Sequence, residues 1–105
     1  MELLEPWFAL DDMATLAAGL ERELNAEVAP GHALFGVRVS ALARRGDCDD
    51  VLFQLHDGTD RVAVVHLTWK RNPPDIPPYP GTTLFTDIEH WLIDGMRRDH
   101  EEWLG

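Results

Sequence analysis

The sequence predicts an α+β domain ordered as helix, three-stranded antiparallel β-meander, Pro-rich linker and C-terminal helix, with both helices on one sheet face. Three observations predict it. First, VLFQLH (51–56) and RVAVVHLTW (61–69) are β-rich apolar runs joined by Asp57, Gly58, Thr59 and Asp60. Asp-Gly between such runs marks a hairpin, because glycine readily takes the positive φ of a tight turn. Second, Met13, Leu16, Ala17, Leu20 and Leu24 recur at the spacing of one buried helix face. Third, Thr86-Asp87-Ile88-Glu89 is a capping box at the head of a second apolar stripe, Ile88, Trp91, Leu92 and Met96.

In chain order, residues 1–10 carry Leu3, Leu4, Trp7, Phe8 and Leu10 around Pro6. Two aromatics so placed read as an ordered arm or short helical turn packed on the core. The first helix starts near Asp11 or Asp12, either of which can serve as its N-cap, and Pro30-Gly31 ends it. Glu21, Glu23 and Glu27 lie off its apolar stripe and are expected to face solvent. Gly19 weakens the helix and suggests a close approach to the sheet.

Residues 34–43 read as the first strand, with Phe35, Val37, Val39 and Ala41 alternating against Gly36, Arg38 and Ser40. A polar loop, residues 44–50, leads into the hairpin. A three-residue turn with a Gly bulge pairs odd positions with odd. One face then holds Val51, Phe53, Leu55, Ala63, Val65, Leu67 and Trp69. The opposite face keeps Leu52, Val62 and Val64 beside Gln54, His56, His66 and Thr68, so it is either covered or a contact surface. The linker Asn72–Gly81, rich in proline, runs extended and carries Tyr79. In the C-terminal helix, acids at the start and Arg97 and Arg98 toward the end complement the helix dipole. Asp99 is positioned to cap one more short turn ending in Trp103 and Leu104.

A length of 105 residues suits one domain, 1–105, with enough buried surface to need no staple. The one cysteine, Cys48, excludes an internal disulfide and favours a reducing, cytoplasmic setting. The N-terminal residues lack the basic start of a signal peptide, and no apolar run is long enough for a membrane helix. The net charge of −10 is uneven. Residues 1–30 hold seven acids and one base, residues 31–71 five acids and six bases, and residues 72–105 seven acids and two bases. Acid at both ends opposes nucleic acid and anionic lipid and suits a basic protein partner.

No motif of specific catalytic or metal-binding spacing is present, and no cofactor is implied. The five histidines, His32, His56, His66, His90 and His100, show no HExxH or i, i+4 pairing. The preferred register sets His66 across from Cys48, Asp49 or Asp50, a set of plausible zinc donors. A surface histidine beside a free cysteine is the competing account. Cys48, His66 and an acid are also the one grouping with the makings of a nucleophilic site. Against that, Asp47, Asp49 and Asp50 flank the thiol and should blunt it. Arg44, Arg45, Arg61, Lys70 and Arg71 come from strand ends and are able to meet at one sheet edge.

Trp7, Trp69, Tyr79, Trp91 and Trp103 are many large rings for this length, and Trp69 and Trp91 continue apolar stripes. Tyr79 and Trp103 are less bound to the core and, with His56 and His66, are the partner-contact candidates. The expectation is a small acidic, non-enzymatic protein that binds another protein, one concrete form being an inhibitor or immunity-type protein over a basic active site. The alternatives are a small-molecule or minor enzyme site near His56, His66 and Cys48, and a homodimeric structural module.

Overall fold

The computed structural model describes residues 2–70 and 74–105. Arg71, Asn72 and Pro73, the first part of the expected linker, lie outside the described residues, as does Met1. The chain is α+β, and its sheet has five antiparallel strands rather than three. They are β1 (Trp7–Ala9), β2 (Val39–Arg45), β3 (Asp50–Leu55), β4 (Val62–His66) and β5 (Thr82–Phe85), side by side in chain order. Helix α1 (Ala14–Glu27) lies between β1 and β2. A continuous helix closes the chain. It starts as α2 (Ile88–His90), widens into a π-helical stretch (Trp91–Met96) and ends as α3 (Arg97–Leu104).

The central hairpin keeps the odd-with-odd register, with Val51 opposite Val65 and Phe53 opposite Ala63. Gly58 supplies the positive φ of the turn, at 86°. The turn is longer than the expected three residues: pairing stops at Leu55 with Arg61, the His56 N–H turns to the Arg38 carbonyl, and residues 56–60 form the loop. Asp57 organises it by accepting from the Thr59 amide and hydroxyl and from Arg61.

Each sheet face has its own cover, which corrects the expectation that both helices share one face. Val51, Phe53, Leu55, Ala63, Val65 and Leu67 are buried with Leu20 and Leu24 of α1. Leu52 and Val62, on the opposite face, are buried with Trp91 and Met96 of the C-terminal helix, and with Trp7 and Phe85. The physical reason lies in Leu52, Val62 and Val64. Three apolar side chains on one face are worth roughly 1.5–3 kcal/mol each when fully buried, so that face also attracts a helix.

The two added strands come from segments too short to show period-two patterning. The N-terminal arm pairs with β2, Trp7 opposite Arg45, and Trp7 packs edge-on against Trp91 with ring centroids 5.0 Å apart. The residues just after the Pro-rich segment form β5, Val65 opposite Thr82. The predicted first strand starts five residues late, because residues 34–37 form turns that include Gly36 at φ 77°. Met13, rather than Asp11 or Asp12, is the residue before α1, and its side chain makes no cap bond. At the second helix Asp87, not Thr86, is the N-cap, its carboxylate accepting from the His90 N–H.

Two glycines with opposite surroundings test this packing. A Cβ on Gly19 would meet only Arg22 at 3.7 Å, so no close approach to the sheet requires this glycine. A Cβ on Gly95, in the π-helical stretch, would fall 2.6 Å from the Trp91 ring and 3.0 Å from Phe85. Gly19→Ala should therefore stabilise the protein by about 0.5–1 kcal/mol. Gly95→Ala should destabilise it by about 1–3 kcal/mol. Chemical denaturation of both variants checks the pair.

The hairpin turn has its own acid signature. Hydrogen bonds from Thr59 and Arg61 pull the Asp57 carboxyl down from the ordinary 3.8 to about 2. A carboxyl lowered in the folded state favours folding above its unfolded value, and that support disappears as pH falls through the folded one. Carboxyl-detected NMR titration should show Asp57 still ionised at pH 3, and Arg61→Ala should return its midpoint toward 3.8.

Candidate functional site

The chemistry-bearing side chains gather at one end of the sheet, where β3 begins and β4 ends. The register makes Asp50 and His66 direct cross-strand neighbours. The His66 N–H bonds to the Gly81 carbonyl on its other side, which leaves Asp50 and His66 as a pair without mutual backbone bonds. Side chains of such pairs stand close, and His66 Nδ1 lies 2.7 Å from Asp50 Oδ1. Cys48, in the β2–β3 loop, completes the group: one donor atom from each of Cys48, Asp50 and His66 lies within 4.8 Å of the other two. The Asp50 backbone N–H favours the Cys48 thiolate.

Charged neighbours hold this corner in shape. Arg45 bonds Asp47 through two nitrogens, at 2.8 and 3.1 Å, and reaches Asp99 at 3.5 Å and Asp50 at 3.9 Å. Asp99 also accepts from the Trp7 indole at 3.0 Å, tying the last helix to β1. Arg44 lies 3.6 Å from Asp49. Arg61, at the far end, pairs with Asp57. Of the expected basic edge, Arg44, Arg45 and Arg61 thus sit in separate ion pairs, Lys70 lines the cavity beside Ile76 and Tyr79, and Arg71 lies outside the described residues.

Cys48 faces a surface cavity of about 400 Å³ with Phe8, Arg44, Arg45 and Asp49. Burial pushes its thiol pKa up, and the Asp50 and Asp47 charges add to the rise, outweighing Arg45 and the Asp50 N–H. A thiol so shifted is a poor nucleophile at neutral pH. Asp50 also lines a smaller cavity of about 100 Å³ between sheet and last helix, with Thr83, Arg98 and Asp99. Trp91 and Gly95 form its wall. The buried Trp91 indole N–H has no partner there among the described residues.

His56 does not join this group. It lies beyond the Leu55–Arg61 pair, at the turn end of the hairpin, where Nε2 meets Ser40 Oγ at 2.7 Å. No carboxylate bonds to His56 among the described contacts, so the pair lacks the group that would orient a general base. Trp103 is half exposed beside a cavity of about 330 Å³ lined by Glu5, Trp7, Gly46 and Asp47, and its ring stacks on His100. Tyr79 is exposed in the Pro-rich segment.

A second feature at this end escaped the sequence reading. Glu27 was expected to face solvent, yet it is 1% exposed. Its carboxylate accepts from the Thr68 and Trp69 amides, each at 2.8 Å, and from the Thr68 hydroxyl at 3.2 Å. Two backbone amides, with the single Thr68 hydroxyl proton shared between Glu27 and Asp75, answer a buried carboxylate that would otherwise be costly to desolvate. The Glu27 carbonyl accepts from the Asp75 N–H, and buried Asp75 accepts from Thr68 Oγ1 at 2.8 Å.

Nearby, buried His32 accepts at Nδ1 from the Leu34 N–H and so donates from Nε2 to the Pro80 carbonyl. These bonds fix both ends of residues 74–81 to α1 and the following loop. They also hold Trp69 at φ 56°. Trp69 was expected in the core as the continuation of β4. At this dihedral the strand has ended, and the ring is half exposed. No signal in the local sequence marks Glu27 as buried, because its partners lie more than 40 residues away.

No family model, no curated protein and no solved structure matches this chain.

The raised thiol gives a direct check on the chemistry. Cys48 should react with iodoacetamide at pH 7 more slowly than a free cysteine in a short peptide, with the rate climbing only at alkaline pH. A rate faster than the peptide's would mark an activated thiolate.

Proposed function

We propose that this chain is a non-enzymatic binding protein that contacts a basic protein partner through Trp69, Ile76 and Tyr79. The observation that carries this reading is the exposure of large apolar side chains on a fastened loop. Ile76 is 81% and Tyr79 62% exposed, and both line a cavity of about 440 Å³ with Thr68 and Lys70. Trp69, the neighbour of both Thr68 and Lys70, is 46% exposed.

Apolar groups on a loose loop carry little meaning. Here Glu27, Asp75 and His32 pin the backbone that presents them. A rigid display lowers the entropy lost on binding, and aromatic anchors of this kind dominate binding energies at protein interfaces. The net charge of −10 supports a basic partner, since it speeds encounter with positive surfaces. An inhibitor or immunity-type protein covering a basic site is one form of this function. The shifted Cys48 thiol and the separation of His56 from His66 weigh against the minor-enzyme alternative.

The test is affinity capture from a lysate of the source organism at low and high salt, with wild type beside an Ile76→Ser/Tyr79→Ala double variant. Both side chains are exposed, so the variant should keep the wild-type circular dichroism spectrum and melting temperature. The expected result is one basic protein retained by wild type at low salt, released at high salt, and bound at least about tenfold more weakly by the variant, a loss of about 1.4 kcal/mol. Equal capture by the two proteins would contradict the proposed surface.

A further inference from the structure

We propose that Cys48, Asp50 and His66 form a binding site for a divalent transition metal of the zinc class. Three kinds of donor meet here from three places: a loop thiol, the first residue of β3 and the last residue of β4. Their ligand atoms all lie within 4.8 Å of one another. Zinc bonds of about 2.0–2.3 Å place tetrahedral neighbours roughly 3.3–3.7 Å apart, so closing the site takes about an ångström of side-chain movement at most. Cys48 sits in a loop and His66 is largely exposed, so both have room to make it.

The donor set selects the metal. A thiolate and an imidazole favour zinc and its neighbours over calcium or magnesium, which seek oxygen alone. Charge agrees as well. One thiolate and one carboxylate neutralise a dication, so the bound site carries no net charge. The surrounding acids do not need to supply any, and they are already matched: Asp47 and Asp99 to Arg45, and Asp49 to Arg44. Asp50 is the most distant of the Arg45 partners, at 3.9 Å, and so the one most readily turned toward a metal.

Three protein ligands leave a fourth position, and the exposed side of His66 opens it to solvent. An open fourth position distinguishes such a site from the closed four-ligand sites that staple small folds. Neither packed core includes Cys48, so a metal here is expected to add little to the fold.

The experiment uses the full chain, stripped with a chelator and titrated with Co²⁺ and then Zn²⁺ under reducing conditions. The expected result is one equivalent of Co²⁺ with a thiolate-to-cobalt charge-transfer band and the intense visible bands of a four-coordinate ion, both removed by one equivalent of Zn²⁺. Cys48→Ser should abolish the charge-transfer band. His66→Gln, at an exposed position whose replacement leaves the core untouched, should weaken Co²⁺ binding at least about tenfold. Absence of the charge-transfer band in the folded wild type would overturn the site. So would a band of undiminished affinity in His66→Gln, since it would mean adventitious binding to the thiol alone.

Discussion

Phe53 faces Ala63 and Leu52 faces Val64 across the central hairpin, and the rest of the molecule follows from that pairing. It divides the apolar residues of β3 and β4 into two sets, each too hydrophobic to leave in water. A slip of one residue would move Phe53, Leu55, Val65 and Leu67 out of step and mix the two faces. With the register fixed, the odd face recruits Leu20 and Leu24 of α1, and the even face recruits Trp91 and Met96 of the last helix. The same pairing carries Asp50 opposite His66 at the open end of the hairpin. Core and candidate metal site are therefore two consequences of one alignment.

That open end is also where the chain fastens its Pro-rich segment. Glu27, at the last turn of α1, reaches the backbone just past β4 and accepts from two amides there, with the Thr68 hydroxyl shared between Glu27 and Asp75. Burial of the Glu27 carboxylate makes these bonds obligatory, because an unpaired buried carboxylate would keep its full desolvation cost. The segment consequently displays Ile76 and Tyr79 outward from a fixed backbone. A rigid apolar patch beside a mixed-charge corner, on a protein of net charge −10, is the physical basis for reading the chain as a binding protein.

Much of this was legible in the sequence. Asp57-Gly58 located the turn, and the apolar alternation favoured the odd-with-odd register. From that register His66 was already placed near Cys48, Asp49 or Asp50. Helical spacing found α1, and the segment Thr86–Glu89 found the start of the last helix. What stayed hidden depends on distant partners. β1 and β5 span three and four residues and become strands only because β2 and β4 offer them an edge. Glu27 looks like any solvent-facing glutamate until Thr68 and Trp69 arrive beside it. Trp69 extends an apolar stripe on paper, and its positive φ removes it from that stripe in space. The face that takes the second helix looks half polar in sequence, because Leu52, Val62 and Val64 share it with Gln54, His56 and His66, and its demand for a helix of its own emerges only when β3 and β4 bring the three apolar residues together.

The register itself is the most direct point of attack. In its non-bonded pairs, facing α-protons of antiparallel strands come close enough for strong nuclear Overhauser effects, since their Cα atoms are only about 4.5 Å apart. A two-dimensional NOE spectrum of the protein in D₂O should show Hα–Hα cross-peaks for Leu52 with Val64 and for Asp50 with His66. Cross-peaks that instead join Leu52 to Ala63 or Val65 would shift the hairpin by one residue, mix the two faces and separate the Asp50–His66 pair.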